Sequence, residues 1–235
     1  MAFFDSFAEI PPTGAGWWIL QRLNRHHLET LKGLSPGMSR VVEIGPGLGA
    51  FAGACKDASL RYTAVEPNAR MGAVLKRAGH PVVSGFVPPM PFAERSVDVV
   101  HASHVIEHNP TFREAIEFVQ ECRRVVRVGG LVSLLGPDFD HLGNYFFKAD
   151  YSHSLPVNRL RLTALMTDCG LRVRHAGYLS GPFHGPLRWL TQTLAKLSTP
   201  GLIWLLTLGR LHRQQCYSAK STFMRAIWVV GERVA

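Results

Sequence analysis

Val41-Val-Glu-Ile-Gly-Pro-Gly-Leu-Gly-Ala-Phe51 is an apolar run that leads directly into three alternating glycines and then into helix-forming residues. The spacing predicts a strand over 40–44, a turn carrying Gly45, Gly47 and Gly49, and a helix over 48–57. Glycine tolerates positive φ and lets a ligand come close to the backbone, while a helix start aims free N–H groups at it. The turn therefore reads as a nucleotide cradle, with Gly45, Pro46, Gly47 and Gly49 as its contacts.

The stretch Gly45-Pro-Gly-Leu-Gly-Ala50 also satisfies the dinucleotide fingerprint G-x-G-x-x-G/A, which makes a nicotinamide or flavin enzyme the first rival. Two carboxylates bear on the choice. Glu66 closes the next apolar run, Arg61-Tyr-Thr-Ala-Val-Glu66, and holds a ribose in either reading. Glu43 discriminates, because a carboxylate beneath the turn repels a pyrophosphate but suits a ligand with a cationic amino-acid end. S-adenosylmethionine has such an end.

Further segments follow in order: Ser96-Val-Asp98-Val-Val-His-Ala-Ser103-His104-Val-Ile-Glu107-His108, then Glu121-Cys-Arg-Arg-Val-Val-Arg-Val-Gly129-Gly130-Leu-Val-Ser-Leu-Leu. With the first two they resemble the class I S-adenosylmethionine-dependent methyltransferases, whose fourth-strand pattern is close to F-D-x-V-x-x-x-x-V-L-E-H. The resemblance spans residues 41–135 and implies a doubly wound α/β fold. Its sheet is seven-stranded and mainly parallel, with the last strand antiparallel beside strand five. It assigns the cofactor S-adenosylmethionine to Glu43, the glycine turn, Glu66 with Pro67, and the end of strand four at Ser103. One departure stands out: the family often has Gly-Asp-Ala before Leu-Pro-Phe, its Asp accepting from adenine, and here Gly85-Phe86-Val87 precedes Met90-Pro-Phe92. Either backbone around Phe86 and Val87 holds the adenine with the ring packed on it, or the pocket binds the cofactor loosely, or Phe86 turns into the core.

A single domain over 1–235 is expected, with a helical cap over 1–35 and an insertion over 181–221. The elements read as helix 16–32; strands 40–44, 61–66, 81–84, 97–102, 131–135 and 171–179; helices 48–57, 68–78, 111–124 and 156–168; and a final strand over 223–231. Strands alternating with helices predict a parallel sheet. Pro67 is expected at a first helical position, and Gly129-Gly130 at a helix-to-strand turn. The cysteines, Cys55, Cys122, Cys169 and Cys216, show neither a disulfide frame nor a C-x-x-C pair. The amino terminus lacks a basic region before its aromatics and does not read as an export signal, so a cytoplasmic location is expected.

Charge divides the chain. Residues 1–158 carry 15 Lys and Arg against 15 Asp and Glu, whereas residues 159–235 carry 11 basic side chains against Asp168 and Glu232. The same third holds the insertion, with Leu187, Leu190, Leu194 and Leu197 at helical spacing and then Pro200-Gly-Leu-Ile-Trp-Leu-Leu. A membrane span needs about 20 unbroken apolar residues, and Lys196 with Pro200-Gly201 interrupts this one. An in-plane hairpin on an anionic membrane face, a lid over a lipid-like substrate, or helices packed on the sheet edge or in a homodimer interface all fit. Motifs for methylating bases are missing, which disfavours nucleic acid, although the basic charge could still grip RNA.

For an oxygen acceptor a general base is needed, and His104 at the end of strand four is the candidate. Extended alternation sends His101, Ser103 and Val105 to the other side. Glu107 and His108 read as shaping the loop. After strand five, Asp138, His141 and Tyr145 are the candidates for the acceptor side, His141 as a second catalytic group. Asp138, Asp140 and His141 lack a diagnostic metal spacing, so no metal is expected. The reaction expected is methyl transfer to oxygen or nitrogen of a small or lipid-linked metabolite; RNA methylation and a non-catalytic scaffold are the alternatives.

Overall fold

A computed structural model describes residues 5, 9, 10, 12–183 and 185–235. Most of the amino-terminal aromatic stretch read above as no export signal lies outside these residues. The strands are β1 (Arg40–Ile44), β2 (Arg61–Val65), β3 (Val82–Val83), β4 (Val97–Ser103), β5 (Val126–Pro137), β6 (Leu171–Leu179) and β7 (Ala226–Arg233). They form one sheet in the order β3-β2-β1-β4-β5-β7-β6. The first five run parallel, and β7 lies antiparallel between β5 and β6. The expected fold class is the one observed. The chain winds outward from β1 to β3 and then returns to β4, so the order reverses between β1 and β4, where open α/β sheets leave a ligand crevice.

The helices are α1 (Gly14–Leu34), α2 (Ala50–Asp57), α3 (Ala69–Arg77), α4 (Phe112–Val125), α5 (Phe139–Leu142), α6 (Tyr145–Ala149), α7 (Arg159–Asp168), α8 (Gly185–Leu197), α9 (Pro200–Leu206) and α10 (Arg213–Phe223). Side chains alternate across the sheet as the pleat requires. Val42, Ile44, Val100, Ala102, Val132 and Leu134 face a core shared with Phe118 and Val119 of α4 and Leu162 and Met166 of α7. Val41, Val99, Leu131, Leu135, Trp228 and Val230 face the other core, with Leu28 and Leu31 of α1 and Phe51 of α2. Strands buried on both faces explain the near-continuous apolar runs in the sequence. The opening helix is thus part of a core layer.

Three local expectations are corrected. Pro67 is not a first helical residue: Asn68 caps α3, its side-chain oxygen accepting from the backbone N–H of Arg70 and Met71. Helix α2 begins at Ala50 because Gly49 sits left-handed at φ 80° and cannot belong to the helix. Gly129-Gly130 does not separate helix from strand. Helix α4 passes straight into β5, Val126 pairs with Val97 and Leu131 with Val99, and the residues between bulge out of register. A Cβ at Gly130 would stand 2.6 Å from the Asp98 carbonyl oxygen, which is why the bulge needs glycine there. The insertion folds as α8, α9 and the unanticipated α10, against which the first two pack.

Candidate functional site

Gly45, Gly47 and Gly49 take φ of 64°, 54° and 80°, so the whole turn lies in the left-handed region. Gly45 and Gly49 are also closely packed: a Cβ would lie 2.8 Å from Cγ2 of Val105, just past β4, at the first and 2.8 Å from Cδ2 of Leu75 at the second. The turn is closed by the Gly49 N–H donating to the Pro46 carbonyl at 3.0 Å and tied to β2 by the Gly45 N–H donating to Val65 at 3.0 Å. At Gly47 a Cβ would meet nothing within 4 Å, so that side of the turn is open.

Glu43 is 3% exposed, and its Oε2 accepts from the Tyr62 hydroxyl at 2.6 Å. Burial pushes its carboxyl up to about 8, against the pull of the Tyr62 bond, and the charge of Glu66 adds to the rise. Glu66 stands just past β2, its Oε1 accepting from the Asn68 N–H at 2.7 Å, and burial raises its carboxyl too. Among the described residues no ion pair engages either acid. Two acids beside an open glycine turn, with no cation of the protein paired to them, fit a ligand that carries a positive charge and a diol. Pro67 joins Glu66 to the cap at Asn68. Tyr62 and Asn68 were not singled out in the sequence; Val-Glu-Pro-Asn gave a signal for the second only.

Phe86 is 66% exposed, so it does not turn into the core, while Val87 packs against it. The segment is anchored from α4: Glu121 Oε1 accepts from the Met90 N–H at 2.6 Å, and Arg124 Nη2 donates to the Met90 and Phe92 carbonyls at 3.2 and 3.0 Å. This leaves the Phe86 ring free to lie on a flat apolar ligand.

At the end of β4 the extended alternation holds for His101 but stops at Ser103. His101 is fully buried in the opposite core, its Nδ1 2.9 Å from Ser133 Oγ, and burial lowers its pKa to about 3. His104 takes a left-handed φ of 57° and donates its N–H to Leu135 at 2.7 Å, so backbone conformation, not strand alternation, sets its direction. Its Nδ1 lies 3.1 Å from Glu107 Oε1. Glu107 lies in the 3₁₀ turn Ile106–His108, and its carbonyl accepts from the N–H groups of Ser154 and Leu155, so it does shape the loop. It also holds His104, a role not read from the sequence. Burial would raise the Glu107 carboxyl, but bonding to His104 and the charges of His104 and His108 outweigh that and hold it below the usual range.

After β5, Asp138 is fully buried, pairs with Arg225 and caps α5. Asp140 accepts from Asn158. Neither carboxylate is arranged with His141 for a metal ion, and Asp138 is committed to Arg225 instead of facing an acceptor. His141 Nε2 and the Tyr145 hydroxyl are buried without partners among the described residues, which suits groups awaiting a ligand. Burial, with Arg225 and Lys196, lowers His141 to about 4, so its ring is neutral at pH 7. The buried Lys220, missed in the sequence, lies 4.5 Å from the Tyr145 ring centre. A depression of about 420 Å³ lined by Arg40, Arg61, Arg95 and Arg127 lies at the opposite ends of the strands, away from these groups.

A family model described as a methyltransferase domain matches residues 42–134, which run from the cradle through β4 into β5. Over residues 42–134 the chain thus resembles a methyltransferase domain. Uncharacterised methyltransferases of Mycobacterium leprae and Mycolicibacterium gilvum are similar to it, at 36% identity over 117 residues and 38% over 111. These alignments cover 46% and 43% of this chain, and the methyltransferase segment spans less than half of those relatives, 42% of each. In fold the domain is like a SAM-dependent methyltransferase of Archaeoglobus fulgidus, with a TM-score of 0.62 and 20% identity over 91% of this chain and 94% of that one. It is equally like the [4+2]-cyclase SpnF, TM-score 0.62 and 12% identity over 90% and 81% of the two chains.

Proposed function

We propose that the chain binds S-adenosylmethionine at the glycine turn and directs its methyl group to an oxygen or nitrogen of a small or lipid-linked metabolite. The observation that carries this reading is the pair Glu43 and Glu66, buried at the turn with no ion pair to either among the described residues. Glu43 suits an ammonium group, Glu66 a ribose diol, and Phe86 an adenine face. When bound, the cofactor supplies an already activated sulfonium methyl. The protein's work is then to position the acceptor, exclude water and take a proton. This reading assigns the proton to His104, whose ring is held by Glu107, and a base of this kind contributes about a hundredfold to ten-thousandfold. His141 and Tyr145 offer neutral polar groups to the acceptor.

The insertion supports an amphiphilic acceptor met at an anionic membrane face. Trp189 and Leu194 of α8, Leu205 and Leu206 of α9, and Leu208 after it are all exposed. No acidic residue occurs between Asp168 and Glu232, while Arg188, Lys196 and Arg210 do. Apolar side chains beside cations match anionic lipid. Among the described residues no helix is long and apolar enough to cross a membrane.

Calorimetric titration of the chain with S-adenosylmethionine tests the cofactor assignment, with NAD as the comparison ligand. Binding of the first, weakened at least tenfold by Glu66→Ala, is the expected result. No binding heat and no thermal shift would leave a scaffold, a preference for NAD a dehydrogenase, and RNA binding that weakens steeply with salt would favour an RNA substrate. Incubation of cell extracts with methyl-labelled cofactor, read by mass spectrometry, then identifies the acceptor.

A further inference from the structure

We propose that Glu107, His108 and His153 bind one divalent transition-metal ion. One donor atom from each lies within 4.8 Å of the other two. They come from separate stretches: Glu107 and His108 from the turn after β4, and His153 from the loop between α6 and α7. That loop is fixed onto the turn by the N–H groups of Ser154 and Leu155, which donate to the Glu107 carbonyl at 2.9 and 3.0 Å. The three side chains are therefore brought together by backbone bonds as well as by their own chemistry.

The hydrogen-bond pattern selects the ligating nitrogens. Ser152 Oγ has one proton, and it donates that to Asp150 Oδ1 at 2.6 Å. Its contact with His108 Nδ1 at 3.0 Å is then one in which the ring N–H donates. His153 Nδ1 stands 2.8 Å from the Phe146 carbonyl, which can only accept, so that nitrogen also carries its hydrogen. Both rings thus have Nδ1 anchored on an oxygen, the arrangement that orients metal-bound histidines, and the metal nitrogen in each is Nε2. The rings lie 5.0 Å apart, centre to centre.

Glu107 supplies the independent observation. Its side chain is fully buried and Oε1 is taken by His104, yet Oε2 has no hydrogen-bond partner among the described residues. A buried carboxylate oxygen without a partner is costly, and a cation on Oε2 would remove that penalty. The carboxylate of Asp150, 3.9 Å from His153 Nε2, adds negative charge beside the position. Two imidazoles and one carboxylate suit zinc, iron(II), cobalt or manganese better than magnesium or calcium, which prefer all-oxygen sites. An ion here would grip one oxygen of Glu107 while the other holds His104, tying the orientation of that ring to metal occupancy.

The test uses the full chain stripped with a chelator and titrated with Co²⁺, read by visible absorption and by elemental analysis after desalting. One ion per chain is expected, with at least tenfold weaker binding in His108→Ala and His153→Ala, weaker binding in Ser152→Ala, and no change in His80→Ala. Circular dichroism reports whether each variant is folded; should the alanine variants unfold, His153→Gln and Ser152→Ala decide. Failure of the folded wild-type chain to take up Co²⁺ stoichiometrically overturns the proposal, as does equal uptake by the variants. The measurement is independent of S-adenosylmethionine, so its outcome and that of the cofactor titration are read separately.

Discussion

Glu107 Oε1 lies 3.1 Å from His104 Nδ1, with the carboxylate side chain fully buried and the imidazole 53% exposed. A buried anion that holds an exposed ring acts as an orienting device: it favours a proton on Nδ1 and makes Nε2 the basic nitrogen. The left-handed backbone at His104 is held by its own N–H bond to Leu135, so the ring is directed from both ends.

For His104→Ala the expected result is a fall in kcat of about a hundredfold or more with the cofactor Kd within threefold of wild type. Turnover with the identified acceptor and calorimetry with S-adenosylmethionine measure the two separately. Parallel losses in both would refute the division of roles between His104 and the glycine turn.

Glu43 links cofactor binding to pH. Its carboxyl is raised to about 8 in the folded chain against 4.5 unfolded, so the native state binds more protons between those values and stability falls as pH rises from 4.5 toward 8. Glu43→Gln removes that slope, and its thermal midpoint should exceed that of wild type at pH 8.5. An ammonium group on Glu43 favours the carboxylate, so binding of S-adenosylmethionine below pH 8 should release a proton. Calorimetry in buffers of different ionisation enthalpy shows this for wild type and not for Glu43→Gln; equal proton release in both would remove Glu43 from the site.

His27 makes the fold acid-sensitive. It is buried against Trp228 and His101, with ring centres at 5.0 and 5.9 Å, and neither ring nitrogen has a hydrogen-bond partner among the described residues. Burial, followed by the charges of His101, His26 and His104, holds its pKa well below 6.5. The unfolded chain therefore binds the extra proton, and stability present above pH 6.5 is lost as pH falls through and below that value. His27→Leu should raise stability by about 1–3 kcal/mol at pH 7, by removing two unsatisfied polar atoms, and by more at pH 5. Urea titrations at the two pH values measure it; an unchanged pH dependence would show that His27 does not carry the effect.

The insertion is expected to float with vesicles that contain anionic lipid and not with neutral ones. Leu205→Ser with Leu206→Ser should abolish flotation while cofactor binding stays as in wild type, since both side chains are exposed and neither belongs to the glycine turn or its two acids. Flotation of the double variant at wild-type level would assign these exposed leucines to another partner.

Much of the cofactor side was legible in the chain because it is local. A strand, a glycine turn and a helix are contiguous from 40 to 57, and their φ demands and apolar alternation are written in consecutive residues. The Asn68 cap displaced Pro67 from its expected place because a side-chain oxygen that satisfies two backbone N–H groups outweighs a favourable proline φ. The bulge at residues 127–130 escaped notice because it depends on the register of β5 against β4, which single-strand periodicity does not contain.

By itself the sequence determined the order of the strands, the glycine turn with its two acids, and the concentration of positive charge in the last third. Those features rest on residue spacing, backbone preference and counting. Only the tertiary structure decided what His104 faces and how His153 comes to lie beside Glu107 and His108. It also decided that Asp138 is committed to Arg225, 87 residues further along the chain. The reason is physical: periodicity reports which face of an element is buried, whereas a contact between distant segments depends on how the loops pack over the strand ends.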